Sequence, residues 1–228
     1  MSGTDSVGRA GDAGLAALLA EIAACRICRD APEGGPAKAL PHEPRPVCFA
    51  SSSAPILIAG QAPGTRVHAS GRPFTDPSGD RLRDWLGVDE AQFYDPANFA
   101  IVPMGFCFPG LDAKGGDLPP RRECAPAWRS RLMAAMPQLR LILVIGQYAQ
   151  AWHLGPLRRK TLTETVRDWR SILAASDPEC AVIPLPHPSW RNSGWIAKNP
   201  WFESDLLPEL KIRVATLISS ENGTVSSR

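Results

Sequence analysis

The sequence has no long apolar run and little net charge, and both shortages narrow what the protein can be. None of its 228 residues belongs to a stretch approaching the roughly 20 consecutive apolar residues that a membrane-spanning helix needs. The polar segment 1–14 lacks the apolar core of a secretion signal, so we expect a soluble, cytoplasmic protein with no membrane partner. A net charge of +2 argues against coating nucleic acid by charge alone but permits a local basic face.

Cysteine is too sparse for a disulfide scaffold. A chain of 228 residues can build a core without cross-links, and reducing compartments disfavour disulfides, so its six cysteines suggest metal ligation or simple burial. The hydrophobic content of 44% supports one substantial core but leaves little room for two. We therefore predict a single domain over residues 15–218, between unstructured tails at 1–14 and 219–228.

Four short aliphatic runs, each bounded by Gly or Pro, have the composition of buried strands. They occupy residues 56–59, 100–102, 141–145 and 182–185. Helical patterns separate them along the chain, and this alternation favours parallel pairing. The sequence therefore predicts an α/β layer fold around a four-stranded parallel sheet.

Apolar residues at helical spacing predict the helices. The first runs from Leu15 to near Cys25, and the last begins at Asn199-Pro200, with an expected kink or interruption at Pro208. The others are expected at 79–86 with Ser78 as the cap, 123–136, 147–154 and 163–173.

Parallel strands deliver the loops that follow them to one edge of the sheet, where ligand crevices form. Gly-rich or polar segments follow all four predicted strands, at residues 60–64, 104–107, 146–147 and 187–192. The first segment, taken alone, has the composition of an ordinary strand-to-helix turn. It lacks the lysine of a P-loop and the spacing of a dinucleotide site, so neither a nucleoside triphosphate nor NAD is expected.

Two of these segments, together with residues 71–74, resemble the uracil-DNA glycosylase superfamily, and in particular its iron–sulfur branch. That branch follows a Gly-x-Ala-Pro-Gly loop with Gly-Arg-Pro-Phe. Here the corresponding residues are Gly60-Gln61-Ala62-Pro63-Gly64, Gly71-Arg72-Pro73-Phe74 and, after the last strand, His187-Pro188-Ser189-Trp190-Arg191-Asn192. The resemblance implies a three-layer α/β/α fold and a monomeric repair enzyme that flips uracil out of DNA and hydrolyses its glycosidic bond.

The same resemblance assigns a substrate-binding role to the first loop and to Phe74. By its matching position, Phe74 is expected to stack on the extruded base, and an aromatic face returns about 1–3 kcal/mol of the lost stacking. The alternative is an ordinary core aromatic. His187 matches the histidine that stabilises the departing uracil anion, against the alternative of a structural histidine after a strand.

The aspartate expected to act in catalysis is absent from its usual position in the first loop. Well-known members place an aspartate third in the first loop, where this sequence has Ala62. A branch with alanine there draws its aspartate from the segment after Gly-x-x-Phe, which offers Asp76 and Asp80. We favour Asp76, since Asp80 suits the start of a helix. Gln61 is a candidate for holding a water, and His68 is a weaker candidate with the character of a surface residue.

A second departure concerns the choice of base. Related enzymes carry an asparagine shortly before the cysteine that follows the second strand, but here that stretch is Val102-Pro103-Met104-Gly105-Phe106. Backbone groups or another asparagine would then have to recognise uracil. Hypoxanthine or another deaminated base therefore remains an alternative substrate.

Four cysteines form two pairs whose order and spacing resemble the metal ligands of the iron–sulfur branch. They are Cys25 and Cys28, in a Cys-x-x-Cys pair, and Cys107 and Cys124. A [4Fe–4S] cluster with a structural role is favoured, with zinc or no metal as the alternatives, because sulfur ligands suit both metals. Cys48 and Cys180 have no comparable pairing and are expected to be buried thiols.

DNA containing uracil or an abasic site is the expected partner. Ser189, Trp190, Arg191 and Asn192 are the predicted DNA-binding residues, with Trp190 or Arg191 as a wedge; alternatively Trp190 and Trp195 anchor the loop to the core. Phosphate contacts are expected from the arginines near the strand ends: Arg66, Arg72, Arg121, Arg122 and Arg191.

Two other functions remain open from the sequence alone. Ala62 and the missing asparagine fit a non-catalytic module that binds damaged or abasic DNA. A hydrolase acting on free nucleosides is the third candidate. Only the glycosylase needs both a flipped base and a wedge.

Overall fold

A computed structural model describes residues 4–222 of the chain, with side chains described over 12–219. In this part of the chain four parallel strands form one sheet with the order β2-β1-β3-β4. Their bounds are β1 Ile56–Ala59, β2 Phe99–Ile101, β3 Leu141–Ile145 and β4 Ala181–Leu185. The predicted strands and the α/β class are thus confirmed, with β2 and β4 each beginning one residue early.

The helices cover both faces of the sheet. Their bounds are α1 Thr4–Ala23, α2 Ile27–Asp30, α3 Thr65–Ser70, α4 Pro77–Leu86, α5 Glu90–Tyr94, α6 Cys124–Ala134, α7 Gly146–Leu154, α8 Leu162–Arg167, α9 Trp169–Ala175, α10 Ser193–Lys198 and α11 Leu207–Asn222. Short 3₁₀ turns occur at Pro36–Lys38, Gly155–Leu157 and Trp190–Asn192, and a π-helical segment occupies Phe202–Leu206.

Alternate strand residues divide the core into two layers of side chains. On one face Ile58 and Leu143 pack with residues of α4, α8 and α11, including Leu82 and Leu210. On the other face the neighbouring positions pack with α1, α6 and α7. Because side chains alternate across a strand, one buried sheet supports both helical layers. The three-layer α/β/α fold is confirmed.

Several helix boundaries differ from the prediction. Helix α1 begins at Thr4 and α11 ends at Asn222, so helix extends into stretches that the sequence assigned to tails. Adding a residue to a helix already anchored by its packed turns costs far less than starting one. The helix expected over 163–173 is divided at Asp168, whose backbone is not helical and whose carboxylate lies 2.6 Å from Nε of Arg159.

The last helix is interrupted where Pro208 was expected to disturb it. The π-helical turn directly precedes α11, so the irregularity falls just before the proline, which has no N–H to donate. The apolar face is continuous across this point. Its residues Phe202, Leu206, Leu210 and Val214 are all buried.

The cap of α4 is Asp76 rather than Ser78. The Asp76 side chain accepts a hydrogen bond of 3.0 Å from the backbone N–H of Ser78, and Pro77 occupies the first helical position. Gly79, three residues after Asp76, lies against the backbone of Phe74. A Cβ at Gly79 would overlap the Phe74 carbonyl oxygen and lie only 2.7 Å from its carbonyl carbon.

We predict that Gly79→Ala destabilises the protein by about 3 kcal/mol, because the added methyl must displace the Phe74 backbone. The matched control is Gly14→Ala in α1, where nothing lies within 4 Å of the added Cβ. That control should stabilise the protein by up to about 1 kcal/mol. Urea unfolding of both variants checks this, and equal midpoints for the two would contradict it.

Candidate active site

The loops that follow the strands meet at one edge of the sheet, as predicted. The N–H of Met104 donates to the carbonyl of Gly60 at 2.9 Å, and that of Gly105 donates to the carbonyl of Gln61 at 2.9 Å. These bonds tie the loop after β2 to the loop after β1. The first loop is therefore fixed before any ligand binds.

Phe74 has a left-handed backbone and a half-buried ring. It is the one non-glycine residue with positive φ in the described chain, at 56°. Such a conformation costs free energy and often accompanies a functional position. The tip of the ring, Cζ, would lie 3.9 Å from a Cβ at Gly60, and the ring packs edge-on against Phe93 with centroids 6.0 Å apart.

Several groups hold the Phe74 segment in this conformation. The hydroxyl of Tyr94 lies 2.6 Å from the Pro73 carbonyl oxygen and 3.1 Å from that of Phe74. Nη1 of Arg83 lies 3.4 Å from the same Phe74 oxygen. Gly79 of α4 and Tyr94 of α5 therefore fix the position of the Phe74 segment together.

His187 follows the buried end of β4 after one residue, Pro186. A backbone N–H distinguishes its two ring nitrogens. The N–H of Ser189 donates to Nδ1 of His187 at 3.2 Å, so Nδ1 carries no proton and Nε2 carries one. Burial lowers the pKa of His187, while the carboxylates of Asp76 and Asp117 oppose this shift. The ring is therefore a neutral donor through Nε2.

The loop that carries His187 is cross-linked to α4. Asn192 donates from Nδ2 to the His187 carbonyl at 2.7 Å. Arg81 donates from Nη1 to the Ser189 carbonyl at 3.0 Å and from Nη2 to Ser193 Oγ at 3.1 Å. The helix that begins beside Phe74 thus also positions the loop that contains the imidazole.

The two loop tryptophans have different surroundings. Trp190 is 73% exposed, with the Arg191 guanidinium 5.9 Å from its ring centroid. Trp195 instead donates from Nε1 to Thr163 Oγ1 at 2.8 Å and packs against Phe202. Trp195 anchors the loop to the core, whereas Trp190 projects from it.

The two aspartates proposed from the sequence, Asp76 and Asp80, also have different surroundings. Asp76 uses Oδ1 to accept from Ser78 N–H and from Ser78 Oγ at 2.5 Å, and its charge reaches His187. Asp80 pairs with Arg83 at 2.5 Å and its side chain is 75% exposed. Of the two, the structure brings only Asp76 into the electrostatic surroundings of the imidazole.

A third carboxylate, Asp117, lies at this edge and was missed by the sequence analysis. Its oxygens lie over the first loop: a Cβ at Gly64 would be 3.4 Å from Oδ2 and 3.9 Å from Oδ1. Partial burial raises the pKa of Asp117, while Arg191 and His187 lower it and Asp76 raises it further. The one sequence signal was an acid directly after Gly115-Gly116, in a loop between two predicted metal ligands.

The first loop is tied to the Asp117 segment by Gln61. Its Nε2 donates weakly to the carbonyl of Leu118 at 3.4 Å. Ala62, next to it, brings no charged group. His68 lies in α3 rather than in a loop, and its ring centroid is 4.4 Å from that of His42.

Apolar side chains occupy the stretch where related enzymes carry an asparagine. Met104 and Phe106 are 4% and 2% exposed and belong to the core. Among the described side chains, the asparagine amides each donate to a backbone carbonyl. These donors are Asn98 to Gln92, Asn192 to His187 and Asn199 to Trp195.

The four paired cysteines line one small cavity, together with Leu40, Phe106 and Trp128. Cys25 follows α1, Cys28 lies in α2, Cys107 follows β2 and Cys124 begins α6. Burial raises the pKa of Cys107 to about 11 and also raises the pKa values of Cys28 and Cys124. All six cysteines in the described chain are free thiols.

The thiols share a cavity without converging on a point. Within the described residues, no three or more His, Cys, Asp or Glu side chains are already gathered as a set that could hold one metal ion. Cys48 and Cys180 do not line this cavity, and burial raises the pKa of Cys48 to about 12. The four cysteines that are paired in the sequence are therefore also the four that line one cavity.

The predicted phosphate-binding arginines divide into two groups. Arg72 stacks on Tyr94 at 3.6 Å and pairs with Glu90 at 3.2 Å, and Arg121 pairs with Glu123 at 2.8 Å. These two are engaged within the protein. The other three, Arg66, Arg122 and Arg191, are exposed.

The family model described as the Uracil DNA glycosylase superfamily matches residues 48–211. The matched region contains all four strands, the Phe74 segment and the His187 loop, and it begins after Cys25 and Cys28. In the described residues no helix has the length and apolar character needed to cross a membrane.

We predict that His187 stays neutral to pH values below 6.5, with its proton on Nε2, because burial disfavours the imidazolium. A long-range ¹H–¹⁵N NMR titration checks both points, with His187→Gln identifying its signals. A pKa above 6.5, or a proton on Nδ1, would contradict the geometry described.

Proposed function

This chain belongs to the uracil-DNA glycosylase superfamily, since the family model covers residues 48–211 of its 228, and we propose that it excises uracil from DNA. The enzyme extrudes the base from the helix and hydrolyses the bond between base and sugar, leaving an abasic site. The observation that carries this proposal is a neutral imidazole with its Nε2 proton free to donate, at the sheet edge that also holds Phe74.

The enzyme must first compensate for the stacking free energy that a base loses when it leaves the DNA helix. An aromatic ring against the base contributes about 1–3 kcal/mol per stacked base. Phe74 suits this task because its backbone is fixed by Tyr94 and Gly79, so little freedom is lost on binding. The tip of its ring would lie 3.9 Å from a Cβ at Gly60, so this surface lies beside the first loop.

The second task is to stabilise the uracil anion as the glycosidic bond breaks. A neutral donor placed beforehand stabilises the developing negative charge without first having to lose a proton. Nε2–H of His187 fits, because Ser189 occupies the other ring nitrogen. The positive charge on the sugar is stabilised by a carboxylate, and Asp76 is favoured over the exposed Asp80 for this electrostatic role.

Contacts to DNA come from the rim of the site. Arg66, Arg122 and Arg191 are exposed and meet phosphates, which position the strand without specifying sequence. Trp190 is the wedge that fills the space left by the extruded nucleotide, since its ring is 73% exposed. Ser189 and Asn192 shape the backbone of this loop.

Base choice is broader than uracil alone under this proposal. The amide that pairs with uracil in related enzymes is replaced by buried Met104 and Phe106. Donation by His187 to a carbonyl oxygen suits any deaminated base that carries one. Hypoxanthine is therefore an alternative substrate to be compared directly with uracil.

We propose a [4Fe–4S] cluster for the cysteine cavity, because four cysteine thiolates are the usual ligands of such a cluster. The four thiols line one cavity, and zinc, which four thiolates also bind, is the alternative. Cys25, Cys28, Cys107 and Cys124 would hold it, and it would tie α1 and α2 to α6 and the loop after β2.

Excision should depend strongly on His187. We expect His187→Ala to slow single-turnover release of uracil by about 100- to 1000-fold, because the departing anion loses its donor. His187→Gln, which retains an N–H donor, should recover part of this loss. Binding to uracil-containing DNA should change little, since the imidazole acts mainly on the departing charge.

The measurement is alkali cleavage of single- and double-stranded oligonucleotides that contain one uracil or one hypoxanthine. A wild-type protein that binds these oligonucleotides but releases no base would contradict the proposal. It would favour a non-catalytic module for damaged DNA, for which Ala62 in the first loop is the motivating observation. Release from free deoxyuridine but not from oligonucleotides would instead indicate a nucleoside hydrolase.

Cluster assembly should depend on the four cysteines of the cavity. Protein purified without oxygen should contain about four iron and four sulfide per chain and absorb near 400 nm, as Cys₄ clusters do. Cys28→Ser and Cys107→Ser should lose this iron and unfold at a lower temperature. The matched controls Cys48→Ser and Cys180→Ser should keep it, and zinc in place of iron would contradict the assignment.

A further inference from the structure

We infer that Asp117 is a second catalytic carboxylate, beside Asp76, and that it receives a proton from the attacking water. This inference rests on the proposed function and adds a residue to the same site. It addresses the carboxylate that Ala62 does not supply to the first loop. The geometry points to a replacement that enters the loop from a different part of the chain.

The proximity of the Asp117 carboxylate to Gly64 carries the inference. Gly64 is the last residue of the loop that contains Ala62, and both oxygens of Asp117 lie over it, at 3.4 Å and 3.9 Å from an added Cβ. A Cβ at position 64 would therefore be in ordinary van der Waals contact with the carboxylate. Asp117 thus places its charge at the end of the loop where the expected aspartate is missing.

The segment that carries Asp117 is closed by its own hydrogen bonds. Oδ1 of Asp112 accepts from the N–H groups of Lys114 and Gly116, both at 2.8 Å. The N–H of Leu118 donates to the Gly110 carbonyl at 3.0 Å. Backbone pairing of Leu111 with Asp117 completes a short hairpin, so the carboxylate is held rather than left on a free loop.

Of the three aspartates at the site, Asp117 makes the fewest side-chain hydrogen bonds and ion pairs. Oδ1 of Asp76 is used to cap α4, and Oδ1 of Asp80 is paired with Arg83. No hydrogen bond from the described residues to either oxygen of Asp117 is present. A base must have an oxygen available to the water, and Asp117 meets this condition.

The surrounding charges suit a proton acceptor. The charged and titratable groups that act on Asp117 are Arg191 from the 3₁₀ turn, His187 after β4 and Asp76 at the cap of α4. Burial outweighs Arg191 and His187, so the pKa of Asp117 is raised above that of an ordinary aspartate. A carboxylate with a raised pKa accepts a proton more readily than an exposed one while remaining able to ionise.

The step balances as a hydrolysis. The water oxygen forms a bond to C1′ of the deoxyribose, and the bond between C1′ and the base nitrogen breaks. The bonding pair leaves with the base, whose anion is stabilised by His187 through Nε2–H. One water proton passes to Asp117 and later returns to solvent, while the base anion takes up a proton. No oxidant, reductant or further reactant is needed.

The test is single-turnover excision by Asp117→Asn on a uracil oligonucleotide bound at saturating enzyme. We expect a loss of at least about 100-fold, the usual contribution of a general base. The dissociation constant for the same DNA should stay within about threefold, since only the proton acceptor is removed. The matched control is Asp112→Asn, which removes a charge from the same hairpin but keeps the oxygen that closes its turn.

Two further readouts separate catalysis from structure. The wild-type rate should fall as pH drops through the raised pKa of Asp117, because the protonated carboxyl cannot accept a proton; Asp117→Asn should lose this acid limb. Added formate should restore part of the rate of Asp117→Gly. A merely structural aspartate would show neither effect.

The outcomes separate this inference from the function on which it rests. Active wild type together with Asp117→Asn within about threefold of it overturns the role of Asp117 alone. An equal loss in Asp112→Asn, or an unchanged acid limb, does the same. Wild type that releases neither uracil nor hypoxanthine overturns the proposed function and this role with it.

Discussion

The close approach of α4 to the Phe74 carbonyl is the constraint from which the site follows. Because Gly79 has no Cβ, the first turn of the helix can pack directly on the Phe74 backbone. The left-handed φ of 56° at Phe74 is held by that contact and by Tyr94. The same helix reaches the His187 loop through Arg81. One helix thus places both the aromatic ring and the segment that presents the imidazole.

Around this constraint, parallel strands bring together groups that are distant in sequence. His187 is neutral because the end of β4 is buried, and it is a donor through Nε2 because Ser189 fills Nδ1. Asp117 reaches Gly64 from a hairpin between β2 and α6. Neutral donor, aromatic surface and carboxylate are the three groups that the loss of a base from deoxyribose requires.

Much of this architecture could be predicted from the sequence, since buried strands leave aliphatic runs and loops leave Gly and Pro. The strands were correct to within one residue, and the paired cysteines do line one cavity. Asp117 could not be predicted, because its proximity to Gly64 brings two loops together and follows no periodic pattern. The cap at Asp76 and the break at Asp168 depend on local hydrogen bonds that compete closely with helix continuation.

The central claim is that an extruded base lies between the Phe74 ring and Nε2 of His187. A crystal structure with DNA carrying 2′-fluoro-2′-deoxyuridine, whose glycosidic bond resists hydrolysis, tests it most directly. We expect an unstacked uracil with its face on Phe74 and one of its carbonyl oxygens within hydrogen-bond distance of Nε2 of His187. We also expect Asp117 to face C1′ of the deoxyribose. A uracil that remains paired in the duplex, or one bound away from both Phe74 and His187, would contradict it.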